Sequence, residues 1–170
     1  MSEEKQQKRI GAGMVIAAWI LVVLLATGLF ERLLDKQHNP NQGRHNMSQA
    51  EVTLKRNRYG HYVASGLING QEVVFFIDTG ASDVSIPISV AEKLQLAKGA
   101  RAIYNTANGP ITAYRTTLDS IQLGGITLHN IHASINPMEK DEVILLGMSF
   151  LRHLEFTQRG NTLTLTPYRH

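Results

Sequence analysis

Asp78 follows five consecutive large apolar residues, Val73-Val74-Phe75-Phe76-Ile77, and precedes Thr79-Gly80-Ala81-Ser82. Such an apolar run suits a strand buried on both faces. A carboxylate placed directly after it is costly to bury unless hydrogen bonds and a charge partner hold it. Thr79 supplies a hydroxyl, and Gly80 lets the backbone turn sharply and approach the carboxylate. These residue types suit proton transfer by a positioned carboxylate. They suit equally an Asx-type turn that closes a strand, and Asp-Thr-Gly alone does not separate the two.

Other constellations carry less chemistry. His129 and His132 stand three apart, which on a strand turns them to opposite faces, so no shared metal ion is expected. The chain has no cysteine, which excludes thiol catalysis, disulfides and Cys-ligated zinc. Ser82, Ser85 and Ser89 have no Asp/His partners visible in the sequence for a serine-hydrolase triad, and no glycine-rich phosphate loop exists. No metal and no other cofactor is expected.

A second apolar group, Ile144-Leu145-Leu146-Gly147, comes about 65 residues after Asp78. Like Ile77-Asp78-Thr79-Gly80, it ends an apolar stretch on a glycine, a faint sign of two similar half-lobes. The two motifs and their spacing resemble the signature of retropepsin-like aspartic proteases over about residues 52–167. The continuation Leu146-Gly147-Met148-Ser149-Phe150-Leu151 resembles a bacterial, membrane-anchored branch of that family.

The resemblance implies an all-β fold, a small closed β domain with one or two short helices, preceded here by a transmembrane helix. It implies an endopeptidase in which two carboxylates about 3 Å apart share one proton. The ionised one takes a proton from water, and the protonated one polarises the scissile carbonyl. The chain has one Asp-Thr-Gly; Asp83, Asp119 and Asp141 lack the pattern. A homodimer that pairs Asp78 with its symmetry mate is therefore expected. The resemblance assigns Thr79 to holding the two active-site loops together and Gly80 to close packing beside the dyad. Ala81 and Ser82 complete the loop, and Ile144, Leu145, Leu146 and Gly147 form the second motif. Ala81 has no hydroxyl to donate to the carboxylate, where pepsin-like relatives carry Ser, so work in weak rather than strong acid is expected. The stretch Tyr104 to Ile111 falls where the family carries its flap. Asn105, Thr106, Ala107, Asn108, Gly109 and Ile111 are then expected to close over an extended peptide. A surface hairpin without a role is the plainer reading of that stretch. The alternative for the whole chain is a non-catalytic, membrane-tethered peptide-binding or assembly module on the same fold.

Turns punctuate the region that must position these residues. Asn69-Gly70, Asn108-Gly109, Gly124-Gly125 and Gly160-Asn161 each separate two β-rich runs, which predicts four hairpins. The strands on either side of the middle two are expected at 102–106, 111–117, 118–123 and 126–135. Ser89 and Glu92 have capping-box spacing, which predicts a short helix from Ser89 as N-cap to about Gln95. A second is expected from Met148 to His153.

The N-terminal fifty residues differ in kind. Ile10 to Phe30 is an uncharged, mostly apolar run of 21 residues, about the length a helix needs to cross a bilayer. Lys5, Lys8 and Arg9 precede it, which favours a cytoplasmic N-terminus at 1–9 and a catalytic domain in the periplasm, anchored in the inner membrane. A cleaved signal peptide is the other reading, but the run exceeds the usual h-region. Residues 31–50 are expected to be a flexible tether, because Gln37 to Ala50 has almost no large apolar side chains. Residues 51–170 are expected to form the protease domain. That part holds eleven Lys/Arg against ten Asp/Glu, so it offers no basic stripe for nucleic acid.

Overall fold

The structure is a computed structural model that describes residues 2–42, 51–106 and 109–168. The expected flap residues Ala107 and Asn108, and residues 43–50 of the expected tether, lie outside the described residues. The chain divides into two units, Met1–Gln37 and His38–His170.

The first unit is helix α1 (Ser2–His38). Its 22-residue stretch Ala17–His38 is long and apolar enough to cross a membrane. At 1.5 Å per residue that stretch spans about 33 Å, close to the thickness of a bilayer core. Trp19, Leu24, Leu25 and Phe30 are all exposed.

The second unit is built on strands. In order they are β1 (Val52–Lys55), β2 (Val63–Ile68), β3 (Gln71–Ile77), β4 (Val84–Pro87), β5 (Arg101–Thr106), β6 (Gly109–Leu123), β7 (Ile126–Asn136), β8 (Ile144–Leu146), β9 (Leu154–Arg159) and β10 (Thr162–Pro167). Helices α2 (Ile88–Lys93) and α3 (Met148–Leu151) interrupt them. One sheet runs β2-β3-β8-β4-β7-β6-β5, and β2 also pairs with β6. Six strands thereby close into a barrel, and β5 is left paired to β6 alone. A second sheet runs β1-β10-β9.

Closure depends on Gly66. A Cβ there would lie 2.4 Å from the Gln122 carbonyl oxygen and 2.6 Å from the Phe75 ring. Only a glycine lets β2 pass from β3 onto β6 at Leu67↔Gln122 and Ile68↔Ile121. The turn before β3 uses Asn69 at φ 49 and Gly70 at φ 80, the two positive angles that a tight hairpin turn requires. Phe75, Leu118, Ile121, Ile135, Ile144, Leu146 and Phe150 are fully buried and fill the barrel.

The strand pairs of all four expected hairpins form, and in the second of them Gly109 is already paired to Thr106 while Asn108 lies outside the described residues. Three expectations differ. The runs 111–117 and 118–123 are one 15-residue strand, β6. No turn former separates Thr117 from Leu118, and the ladder to β7 skips only Asp119, beside Asn130 at φ 55. Helix α2 does not start from a Ser89 cap. Pro87 is the cap residue, no side chain caps the helix, and the buried Ser89 Oγ has no partner. The reason is tertiary: β4 stays paired to β7 through Pro87↔Asn136, so the ladder sets where the chain leaves the sheet. Both short helices also end earlier than expected, at Lys93 and Leu151.

The third difference is the tether. Residues 31–38 are helical, and Asn39 and Asn41 are buried against the β domain. Asn41 bridges to Ala64 of β2. Its Nδ2 donates to the carbonyls of Lys55 (2.9 Å) and Val63 (2.7 Å), and its Oδ1 accepts from Lys55 N–H (2.8 Å). Asn39 donates to Ser65 Oγ (3.1 Å) and accepts from Asn41 N–H (3.1 Å). Polar composition suggested a solvated chain; here the amides replace solvent by satisfying buried backbone groups.

Candidate active site

Strands β3 and β8 run parallel, with Phe75↔Ile144, Phe76↔Leu145 and Ile77↔Leu146 side by side. That pairing brings the two sequence motifs together. Asp78 leaves the end of β3 and donates its N–H to the Leu146 carbonyl at 3.2 Å. Asp78 Oδ1 accepts from Gly80 N–H at 2.8 Å, and Ala81 N–H reaches the Asp78 carbonyl at 3.3 Å. The residues thus do form the tight Asx-type turn, and the turn presents the carboxylate half-buried at the rim of the barrel. Thr79, Gly80 and Ser82 are exposed, and Ala81 is half-buried.

The rest of the loop is stitched to the second motif. Met148 N–H donates to Ala81 O (2.8 Å), Ser149 N–H to Ser82 O (2.9 Å), and Val84 N–H to Ser149 Oγ (2.9 Å). Gly147 is required for that approach. A Cβ on it would fall 2.2 Å from the Asp83 carbonyl oxygen and 2.6 Å from that of Ala81. Ile144, Leu146 and Gly147 are buried and Leu145 is half-buried, so the second motif supports the loop and adds no titratable group.

The expected flap is the β5–β6 hairpin, registered as Tyr104↔Ile111, Asn105↔Pro110 and Thr106↔Gly109. Thr106 Oγ1 donates to the Gly109 carbonyl at 2.7 Å, and Gly109 takes φ 103. Asn105 and Thr106 are exposed, while Gly109 and Ile111 are half-buried.

One contact escaped the sequence. Tyr104 Oη donates to Asp83 Oδ2 at 3.0 Å, across 21 positions of chain. Partial burial, then the bond to Asp83 and its charge, push the Tyr104 phenol above its usual value, while Arg115 pulls the other way. Asp83 lacks the Asp-Thr-Gly pattern, and no linear spacing signals its tie to the hairpin. Among the described residues no group of three or more His, Cys, Asp or Glu could hold a metal ion.

A closed six-stranded barrel that sets an Asp-Thr-Gly loop against an apolar-Gly motif defines the retropepsin-like class. The family model of the gag-polyprotein putative aspartyl protease matches residues 64–153. An uncharacterized protein of a Sinorhizobium species is 31% identical over 91% of this chain and 73% of its own length. An uncharacterized protein of Rickettsia prowazekii (strain Madrid E) is 32% identical over 69% of this chain and 52% of its own length. The crystal structure of a retropepsin-like aspartic protease from Rickettsia conorii superposes with a TM-score of 0.58 at 32% identity, covering 68% of this chain and 89% of that one. The chain belongs to the retropepsin-like aspartic protease family.

Proposed function

We propose that the chain is a membrane-anchored aspartic endopeptidase whose catalytic pair is Asp78 and Asp78 of the partner subunit in a homodimer. The observation that carries this reading is the setting of Asp78: half-buried at the end of a core strand, with Oδ1 fixed by Gly80 N–H. Among the described residues that is the one hydrogen bond its side chain makes. The second oxygen is left for water, substrate or a second carboxylate. Peptide hydrolysis by two carboxylates needs two, and the chain supplies one Asp-Thr-Gly.

The chemistry balances as follows. The ionised carboxylate removes a proton from water as the water oxygen bonds to the scissile carbon. The protonated carboxylate gives its proton to the carbonyl oxygen, and a neutral tetrahedral diol forms. The C–N bond then breaks as one carboxyl protonates the leaving nitrogen and the other regains a proton from a diol hydroxyl. The pair ends with the single proton it began with, so activity is bell-shaped in pH and reports the pair, not either residue. The β5–β6 hairpin covers an extended peptide laid across the dyad, with Asn105, Thr106, Gly109 and Ile111 nearest the tip. Helix α1 anchors the enzyme in the inner membrane. Lys5, Lys8 and Arg9 keep the N-terminus cytoplasmic and place the β domain in the periplasm.

The test is cleavage of a mixed peptide library by the wild-type full chain and by Asp78→Asn. Wild type is expected to cleave and Asp78→Asn to retain less than about a thousandth of the rate, the scale on which loss of an acid–base group acts. Retention of half the rate overturns the assignment.

A further inference from the structure

We propose that Tyr104 is a positioning residue: its hydroxyl, bonded to Asp83, latches the β5–β6 hairpin to the loop that carries Asp78 and sets how readily the hairpin opens. The inference rests on the reading of that hairpin as the cover of a bound peptide.

The two ends of the bond differ in rigidity. Asp83 is fixed from behind. Its carbonyl packs against Gly147 so closely that a Cβ there would approach to 2.2 Å, and Val84, fully buried, is held by Ser149 Oγ at 2.9 Å. Tyr104 hangs from a strand with one neighbour. Among the described residues strand β5 pairs with β6 alone, and its Ile103 is 76% exposed. A side-chain bond of 3.0 Å between a fixed loop and a one-sided hairpin restrains the hairpin where the sheet does not.

The position along the hairpin suits a latch. Tyr104 faces Ile111, two pairs below the last pair, Thr106↔Gly109. The bond therefore holds the stem of the hairpin, at the first of its last three pairs. Asp83 lies five residues beyond Asp78 in the same loop, so the latch closes the hairpin toward the carboxylate it must cover. The hairpin must open to admit a peptide and close for reaction, so a reversible, partly exposed bond serves better than a buried one.

The test uses the full chain in mild detergent. Tyr104→Phe keeps the ring and removes the hydroxyl. In protein without substrate, hydrogen exchange of the β5–β6 amides is expected to speed up about tenfold, while the β6–β7 and β3–β8 amides keep their rates. On peptide, kcat/KM is expected to fall about tenfold, chiefly through KM, because closure is lost and the dyad is not. Asp83→Ala should match Tyr104→Phe, Asp83→Asn should keep most of the protection because its amide oxygen still accepts, and the double variant should be no worse than either single. Unchanged hairpin exchange in Tyr104→Phe, or additive losses in the double variant, overturns the latch. Exchange needs no catalysis, so it separates the two readings. A faster hairpin in a chain whose Asp78→Asn variant still cleaves leaves the latch standing and removes the assigned dyad. An unchanged hairpin in a chain that Asp78→Asn inactivates does the reverse.

Discussion

Replacing Asn41 with Ala should destabilise the β domain by about 2–4 kcal/mol. Asn41 is fully buried and satisfies three backbone groups: the Lys55 and Val63 carbonyls at 2.9 and 2.7 Å, and Lys55 N–H at 2.8 Å. Truncation leaves at least the Lys55 N–H and the Val63 carbonyl without partners. An orphaned buried group costs about 1–3 kcal/mol, and the vacated volume adds a smaller amount. Water reaching the exposed Lys55 side reduces the sum, hence the lower half of the range. Against a typical total of about 5–15 kcal/mol the loss is large. Pulse proteolysis of the full chain across a urea gradient measures it, with exposed Asn105→Ala as a control expected within about 0.5 kcal/mol of wild type. A β domain cut to begin at Glu51 should show the same loss as Asn41→Ala. If Asn41→Ala unfolds at the wild-type urea concentration, residues 38–42 are no part of the folded domain. The boundary then moves back toward residue 51, as the polar composition suggests.

Gly147→Ala should cost roughly 2–4 kcal/mol and displace the Asp78 loop, because the added carbon meets two carbonyl oxygens at 2.2 and 2.6 Å that belong to backbone and cannot rotate away; the same urea gradient showing a loss under about 1 kcal/mol would contradict that contact. The raised Tyr104 phenol fixes the sign of a pH effect: in the folded state burial, then Asp83, favour the protonated form over the opposing pull of Arg115, so the latch contributes fully below about pH 10 and is lost as pH rises through the raised value. Tyrosinate absorbance should show that the phenol removed by Tyr104→Phe titrates above the usual range, and a phenol titrating at or below that range refutes it. Alkaline phosphatase fused after residue 50 should be active and a cytoplasm-only reporter silent; the opposite pattern reverses the topology.

Much of the fold was legible because its signals are local. Asn69-Gly70 and Gly160-Asn161 dictate turns by backbone angle, and the apolar run at 73–77 marks a strand, although only Val73 and Phe75 are buried and Val74, Phe76 and Ile77 are half-buried, not buried on both faces as expected. The likeness of the two motifs was legible, since both end an apolar strand on a glycine; that β3 and β8 pair side by side, so that Asp78 N–H reaches the Leu146 carbonyl, was not, because strand pairing across about 65 residues leaves no local signal. What failed was context. Ser89 has a cap's chemistry, yet the pairing of Pro87 with Asn136 decides where α2 begins. Asn39 and Asn41 look like linker because composition cannot say whether an amide faces water or a buried carbonyl. Asp83 and Tyr104 are ordinary residues in sequence and meet only because the barrel brings β5 and the Asp78 loop together.

The central claim is that each subunit supplies one of two carboxylates, and subunit mixing tests it most directly. Wild type is held at a fixed amount and inactive Asp78→Asn is added in increasing proportion under conditions that allow exchange, with peptide hydrolysis as the readout. If the dyad is shared, mixed dimers carry one carboxylate and are dead. Activity per wild-type chain should then fall to about half at equal amounts and continue toward zero, as random pairing in a two-fold dimer requires. Activity per wild-type chain that stays constant at every ratio would contradict the shared dyad and place the whole catalytic apparatus within a single chain.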